Sequence, residues 1–60
     1  MKIICVYTDC PLASFVHHRL DELTDRIPCI ARFFSSTGEI FIECRVEDAA
    51  FAESMIADLV

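Results

Sequence analysis

Apolar residues recur at three- and four-residue intervals through the first half of the chain: Leu12, Phe15, Val16, Leu20, Leu23 and Ile27. This spacing places them along one side of a helix, so it predicts an amphipathic α-helix over residues 11–25. Pro11 suits the first helical position, with Asp9 or Cys10 as the cap, and Pro28 blocks continuation of the helix. This helix is the best-defined element in the sequence.

Three segments around the helix have the character of strands. Ile3–Tyr7 is β-branched and aromatic without polar alternation, which is typical of a strand buried on both faces. After the helix, Cys29–Ser35 and Glu39–Glu47 predict a hairpin that turns around residues 36–38.

The length of the hairpin loop decides which side chains share a face of the sheet. An even loop turns one alternating set inward: Cys29, Ala31, Phe33, Ile40, Ile42, Cys44 and Val46. An odd loop without a bulge would place Arg32 on that apolar face, so the even loop is favoured. Arg32 and Glu43 then both face outward, and we expect them to form a cross-strand pair.

A last helix follows, with Asp48 as its cap and a buried stripe formed by Phe51, Ala52, Met55, Ile56 and Leu59. Residues 1–60 are thus expected to form a single α/β (α+β) domain with the order β-α-β-β-α. The prediction is a three-stranded mixed sheet with both helices on one face, in which strands one and two run parallel.

This element order resembles the ferredoxin-like fold lacking its last strand. The resemblance implies that strand three lies between strands one and two, which leaves strand one as an open edge. Sheet edges of this kind invite association with another chain. The resemblance extends over the whole chain in element order and carries no functional motif.

The charge and the apolar segments of the chain limit the partners and the location that we expect. Ten acidic residues against five basic ones give a formal charge of −5, and the basic residues are scattered, which disfavours direct nucleic-acid binding. Five apolar residues near the start are too few for a signal peptide, and no segment is long enough to span a membrane. We expect a cytoplasmic protein, in the host cytoplasm if it is phage-encoded, with its four cysteines as thiols.

The sheet face away from the helices is the predicted binding surface. Ile30, Phe34 and Phe41 point to this uncovered face, joined by residues of Ile3–Tyr7, and an exposed apolar patch usually marks an interface. The predicted partner-binding residues are Ile30, Phe34, Phe41, Glu43 and Glu47. A homodimer and a different protein partner both remain open as occupants of this face.

Cys10 and Pro11, after a strand and before a helix, resemble the active-site turn of thioredoxins. That resemblance implies a thiol-redox role for Cys10, but Ala13 occupies the place of the resolving cysteine, and a strand–helix unit is missing before Pro28. No pair of cysteines has zinc-finger spacing, and Gly38 is the only glycine, so there is no phosphate-binding loop. We therefore predict neither catalytic residues, nor a metal site, nor a cofactor.

The leading hypothesis is a non-enzymatic, acidic protein-binding module that regulates or inhibits a larger protein, as a homodimer. Phage-encoded inhibitors such as anti-CRISPR proteins are one class of this kind. The alternative is a ferredoxin-like regulatory domain that binds a small molecule, and a lesser alternative is a thioredoxin-like thiol protein using Cys10.

Overall fold

A computed structural model describes all sixty residues of the chain. Strand β1 (Lys2–Tyr7) is followed by helix α1 (Ala13–Arg26) and by the strands β2 (Cys29–Phe34) and β3 (Glu39–Cys44). A 3-10 turn at Val46–Asp48 leads into helix α2 (Ala49–Ile56), and a second 3-10 turn covers Ala57–Leu59. Neither helix reaches the length and apolarity that crossing a membrane requires.

The strand order is β1-β3-β2, so the third strand is central, as the ferredoxin-like resemblance implies. β3 pairs antiparallel with both neighbours. β1 and β2 therefore run parallel to each other, as predicted, but they are not adjacent. Both ladders are antiparallel, so the three-stranded sheet is antiparallel and not mixed as predicted. The predicted α+β architecture is confirmed, and its likeness to the ferredoxin-like fold is approximate.

The hairpin loop contains four residues, because Phe34 pairs with Glu39, and the prediction of an even loop is confirmed. Gly38 ends the loop with φ at 78°, a conformation that glycine adopts at low cost. A Cβ added there would lie 2.7 Å from the carbonyl oxygen of Thr8. Gly38 thus allows the hairpin loop to approach the end of β1.

The inward set of side chains is as predicted up to Cys44, which lies directly opposite Cys29. The predicted continuation of the strand to Glu47 is wrong, because β3 ends at Cys44 and the chain turns into a 3-10 helix. Val46, predicted to face inward, is 67% exposed. The side chain of Arg45 bonds forward to Asp48 at 2.7 Å within this turn.

Both helices pack on one face of the sheet, and ten apolar residues form the core between the layers. The predicted stripe of α1 is buried at Val16, Leu20 and Leu23. It is wrong at its start, because Leu12 and Phe15 are 60% and 48% exposed. In α2 the buried residues are Ala52 and Ile56, followed by Leu59 in the last turn, while Met55 is half-buried and Phe51 is exposed.

The start of α1 differs from the prediction, because Leu12 occupies the cap position and Pro11 lies outside the helix. The turn before it is organised by Thr8, whose buried hydroxyl accepts the N–H of Cys10 at 3.0 Å and donates to the carbonyl of Leu59. This side chain joins β1, the approach to α1 and the C-terminal turn. The predicted caps Asp9 and Cys10 are therefore part of a preceding turn.

Two further side-chain contacts involve the helices, one between α1 and the C-terminal segment and one at the start of α2. Arg19 of α1 donates to the carbonyl of Met55 at 2.7 Å and pairs with Asp58 at 2.6 Å. Asp48 does occupy the cap position of α2, as predicted, but its carboxylate accepts from Arg45 instead of capping the helix.

Candidate protein-binding surface

The sheet face opposite the helices, called the outer face below, is a grid of three residues on each strand. Its rows follow from the strand register and are Ile3–Glu43–Ile30, Cys5–Phe41–Arg32 and Tyr7–Glu39–Phe34. Alternation in a strand turns these side chains away from the core, because Ile4, Ile40 and Ile42 between them are buried. No element of the chain covers this face.

Large apolar side chains dominate the rim of the outer face. Ile3 and Tyr7 on β1 are 58% and 62% exposed, and Ile30 and Phe34 on β2 are 49% and 46% exposed. Phe41 lies at the centre of the grid and is half-buried by its neighbours. The outer face thus has an apolar centre and four apolar corners, with Glu43, Arg32, Glu39 and Cys5 between the corners.

Glu39 is the organising polar group of the outer face. Its Oε2 accepts hydrogen bonds from the Cys5 thiol at 3.0 Å and from the Tyr7 hydroxyl at 3.4 Å. The hydrogen bond to Glu39 raises the pKa of the Cys5 thiol, and the negative charge of Glu39 raises the pKa of Tyr7. Both shifts favour the neutral form of the side chain.

The predicted pair of Arg32 and Glu43 does face outward, but the two residues are not opposite each other. The register places Arg32 opposite Phe41 and Glu43 opposite Ile30. Neither charged side chain takes part in a salt bridge within the chain. The outer face thus presents one unpaired cation and one unpaired carboxylate to an external partner.

Four of the five predicted partner-binding residues, Ile30, Phe34, Phe41 and Glu43, lie together on the outer face. Glu47 does not, because β3 ends before it and the residue lies in the 3-10 turn, where its carboxylate is 3.3 Å from Arg45. Its placement on the outer face was wrong, and it lies beyond the end of the sheet.

Sequence reasoning missed the role of Glu39 and left the orientation of β1 open. Both alternating sets of Ile3–Tyr7 are apolar, so the sequence has no signal for which set faces outward. The register resolves it, since Cys5 lies opposite Phe41 and Tyr7 opposite Glu39.

A groove of about 630 Å³ runs beside the free edge of β1. Its apolar lining comes from both layers: Ile3, Ile4, Val6, Ile56, Ala57 and Val60. Lys2, Glu53 and Ser54 are its polar residues, so the groove has one cation and one carboxylate.

The remaining thiols do not form a reactive centre. Cys10 is half-buried, three residues before the helix, and its thiol is 3.8 Å from the carbonyl oxygen of Leu12. Cys29 and Cys44 face inward as predicted and are free thiols, and burial raises the pKa of Cys29. No group of His, Cys, Asp and Glu side chains is arranged to hold a metal ion.

His17 and His18 lie on the exposed side of α1. Asp21 and Glu22 lie one turn further along the helix, and neither forms a salt bridge with these histidines. The ring of His17 instead meets Phe33 edge-on, with the ring centroids 5.5 Å apart. The helix surface therefore carries charge without a cluster that suggests chemistry.

Comparison with known proteins gives no relative from which a function could be transferred. No family model, no curated protein and no solved structure matches the chain.

Proposed function

We propose that this domain is a non-enzymatic binding module that attaches to a larger protein through its outer face and regulates or inhibits it. The observation that carries the proposal is the uncovered apolar face itself, with Phe41 at its centre and four large apolar side chains around it. Soluble monomers rarely expose large apolar patches, and those that are exposed often mark interaction sites.

The composition of the outer face is suited to a protein partner. Interfaces are enriched in aromatic residues at the centre with polar groups around them, and aromatic residues and arginine commonly carry much of the binding energy. Phe41 and Phe34 supply the aromatic anchors, while Arg32 and Glu43 supply unpaired charges. The formal charge of −5 favours a partner with a basic surface and steers its approach.

The same proposal includes a cytoplasmic location and homodimerisation. If the protein is encoded by a phage, it also includes inhibition of a protein of the host cell. An acidic surface without a cluster of cations argues against nucleic acid as the direct partner. The small-molecule alternative is supported by one observation, the apolar groove beside β1, which with Lys2, Glu53 and Ser54 has both apolar walls and polar groups.

Affinity capture from the native host tests the proposal when three baits are compared by quantitative mass spectrometry. The baits are the wild type, Phe41→Glu and the double variant His17→Ala/His18→Ala, each checked for folding by circular dichroism. We expect the same protein to be captured by the wild type and by the histidine variant, and to be lost with Phe41→Glu. Loss with the histidine variant and retention with Phe41→Glu would place binding on α1 and refute the proposal.

A further inference from the structure

The free edge of β1 carries a regular set of unused backbone groups. Thr8 donates its backbone N–H to Gly38 at 2.9 Å, which makes these two residues a hydrogen-bonded pair. Hydrogen-bonded pairs alternate along an antiparallel ladder, so Ile4 and Val6 direct their N–H and C=O groups toward β3. Ile3, Cys5 and Tyr7 direct theirs away from the sheet, where no other strand of the chain pairs with them.

We propose that a second copy of this chain occupies this edge, with the two β1 strands antiparallel and Cys5 opposite Cys5 of the copy. In this register Ile3 faces Tyr7 of the copy and Tyr7 faces Ile3. The backbone groups of these three residues then bond to the copy, while Ile4 and Val6 bond to β3, so β1 is hydrogen-bonded on both sides and the two sheets become one sheet of six strands.

The charges of the chain favour a copy at this edge. Two molecules that each carry −5 repel unless their contact avoids opposed acidic residues. β1 has Lys2 as its one charged residue and no acid. In the proposed register no two charged residues of β1 face each other, because Lys2 faces Thr8 of the copy and the other cross-strand pairs are uncharged.

The other edge of the sheet is less suited to self-association. α1 packs along β2 and carries two exposed acids, Asp21 and Asp25, and the half-buried Glu22. A contact between two β2 strands would bring these acidic helices together. Beside β1 the helix is α2, whose residues include one acid, Glu53.

The groove extends the contact beyond the backbone. Its apolar lining is continuous with the inward side chains of β1, and Val60 at its end is 64% exposed. A copy bound at the edge would cover these residues together with Ile3 and Tyr7. The two outer faces would then lie side by side, with Phe41 and the β2 side chains Ile30 and Phe34 still uncovered. The edge contact thus specifies the homodimer of the proposed function, and partner binding through Phe41 can be tested separately from it.

Sedimentation equilibrium of edge variants tests the inference. The wild type is expected to have twice the mass of one chain at high micromolar concentration. Cys5→Pro removes an N–H that faces the copy and no backbone bond to β3, so it is expected to give a folded monomer, since proline is tolerated at a free edge. Ala31→Pro is the matched control, because by the same alternation its N–H faces the free edge of β2, and the dimer is expected to persist.

Disulfide cross-linking tests the register even where a proline variant fails to fold. In a Cys10→Ser background, mild oxidation is expected to link two chains through Cys5. With Cys5→Ser added, Ile3→Cys and Tyr7→Cys chains are expected to cross-link when mixed and not when each is alone. When one variant is alone, the two copies of residue 3, or of residue 7, would be about 13 Å apart along the strands. This is well beyond the Cα separation of about 7 Å that a disulfide permits.

Three results would overturn the inference: a monomeric wild type, cross-linking of Ile3→Cys chains alone, or a dimer that persists in folded Cys5→Pro. A dimer that dissociates in Phe41→Glu but persists in folded Cys5→Pro would place self-association on the outer face instead. Loss of partner capture in Phe41→Glu with an unchanged dimer supports both proposals separately.

Discussion

The two faces of the sheet differ at adjacent positions of the same strand. On β3, Ile40, Ile42 and Cys44 have no exposed surface, whereas Glu39, Phe41 and Glu43 between them remain partly open. Both sets include large apolar side chains, so hydrophobicity alone does not separate a core from a binding surface. The difference lies in what covers them, since both helices pack on the same side. The inner face is thus committed to stability, and the outer face is available for binding.

The largest effect is expected from truncation on the inner face. Ile42→Ala removes a fully buried side chain and should cost about 2–5 kcal/mol of unfolding free energy. A domain of this size has only about 3–5 kcal/mol available, so the variant should be largely unfolded. Ile30→Ala, on a half-exposed outer position, is the matched control and should cost about 1 kcal/mol or less. Urea denaturation followed by circular dichroism measures both, and equal losses would remove the distinction between the faces.

The junction at the end of the sheet should be the next most sensitive place. Gly38→Ala forces a side chain into a positive-φ conformation against the Thr8 carbonyl, at a cost of about 1–3 kcal/mol. Ser36→Ala in the same loop is exposed and should change the unfolding free energy by about 0.5 kcal/mol or less. Denaturant midpoints of the two variants give the comparison, and a Gly38→Ala protein as stable as Ser36→Ala would show that the loop does not approach β1 as described.

A smaller effect on the outer face concerns thiol chemistry. The hydrogen bond from Cys5 to Glu39 raises the pKa of this exposed thiol, so less thiolate is present at neutral pH. Glu39→Gln should lower that pKa and speed the reaction of Cys5 with a maleimide. Rates are measured in a Cys10→Ser background, with Glu43→Gln as the control that leaves this hydrogen bond intact. If both variants react at the wild-type rate, Glu39 does not control the thiol.

The smallest effect is expected from the surface ion pair between the helices. The hydrogen bond from Arg19 lowers the pKa of Asp58 relative to the unfolded chain. The stabilisation is therefore present above the ordinary carboxyl pKa, near 4, and is lost as the pH falls through the lower value in the folded state. Asp58→Asn should show a weaker decline in urea midpoint below about pH 4 than the wild type. Asp25→Asn, at an exposed position without a salt bridge, should follow the wild type, and identical curves for all three would contradict the pair.

The extent to which the sequence predicts this structure differs between local and distant interactions. The hairpin register followed from one residue, Arg32, which had to face outward, and this also placed Phe41 on the outer face. The start of α1 could not be predicted, because it depends on Thr8, whose hydroxyl bonds Leu59 across a separation of 51 residues. The end of β3 was mispredicted for a related reason, since Val46 continues the alternation while Arg45 bonds forward into a turn.

The sequence predicts which face of the sheet is exposed, but not every residue that lies on it. Ile30, Phe34 and Phe41 follow from alternation once the hairpin register is set. The contribution of β1 does not, because its two sets of side chains are equally apolar and only the pairing with β3 distinguishes them. Glu47 was misplaced because the alternation of apolar and polar residues continues to Val46 and Glu47. Alternation alone does not show where hydrogen bonding to the neighbouring strand stops.

The most direct test of the outer face as the binding surface compares two phenylalanines that are almost equally exposed. Phe34 on the outer face is 46% exposed, and Phe15 on α1 is 48% exposed. The measurement is the dissociation constant of the captured partner for the wild type, Phe34→Ala and Phe15→Ala, by isothermal titration calorimetry. Truncating an aromatic anchor typically costs over 1 kcal/mol of binding free energy, so Phe34→Ala should weaken binding about tenfold or more. Phe15→Ala should bind like the wild type, and the reverse pattern would contradict the outer face as the site.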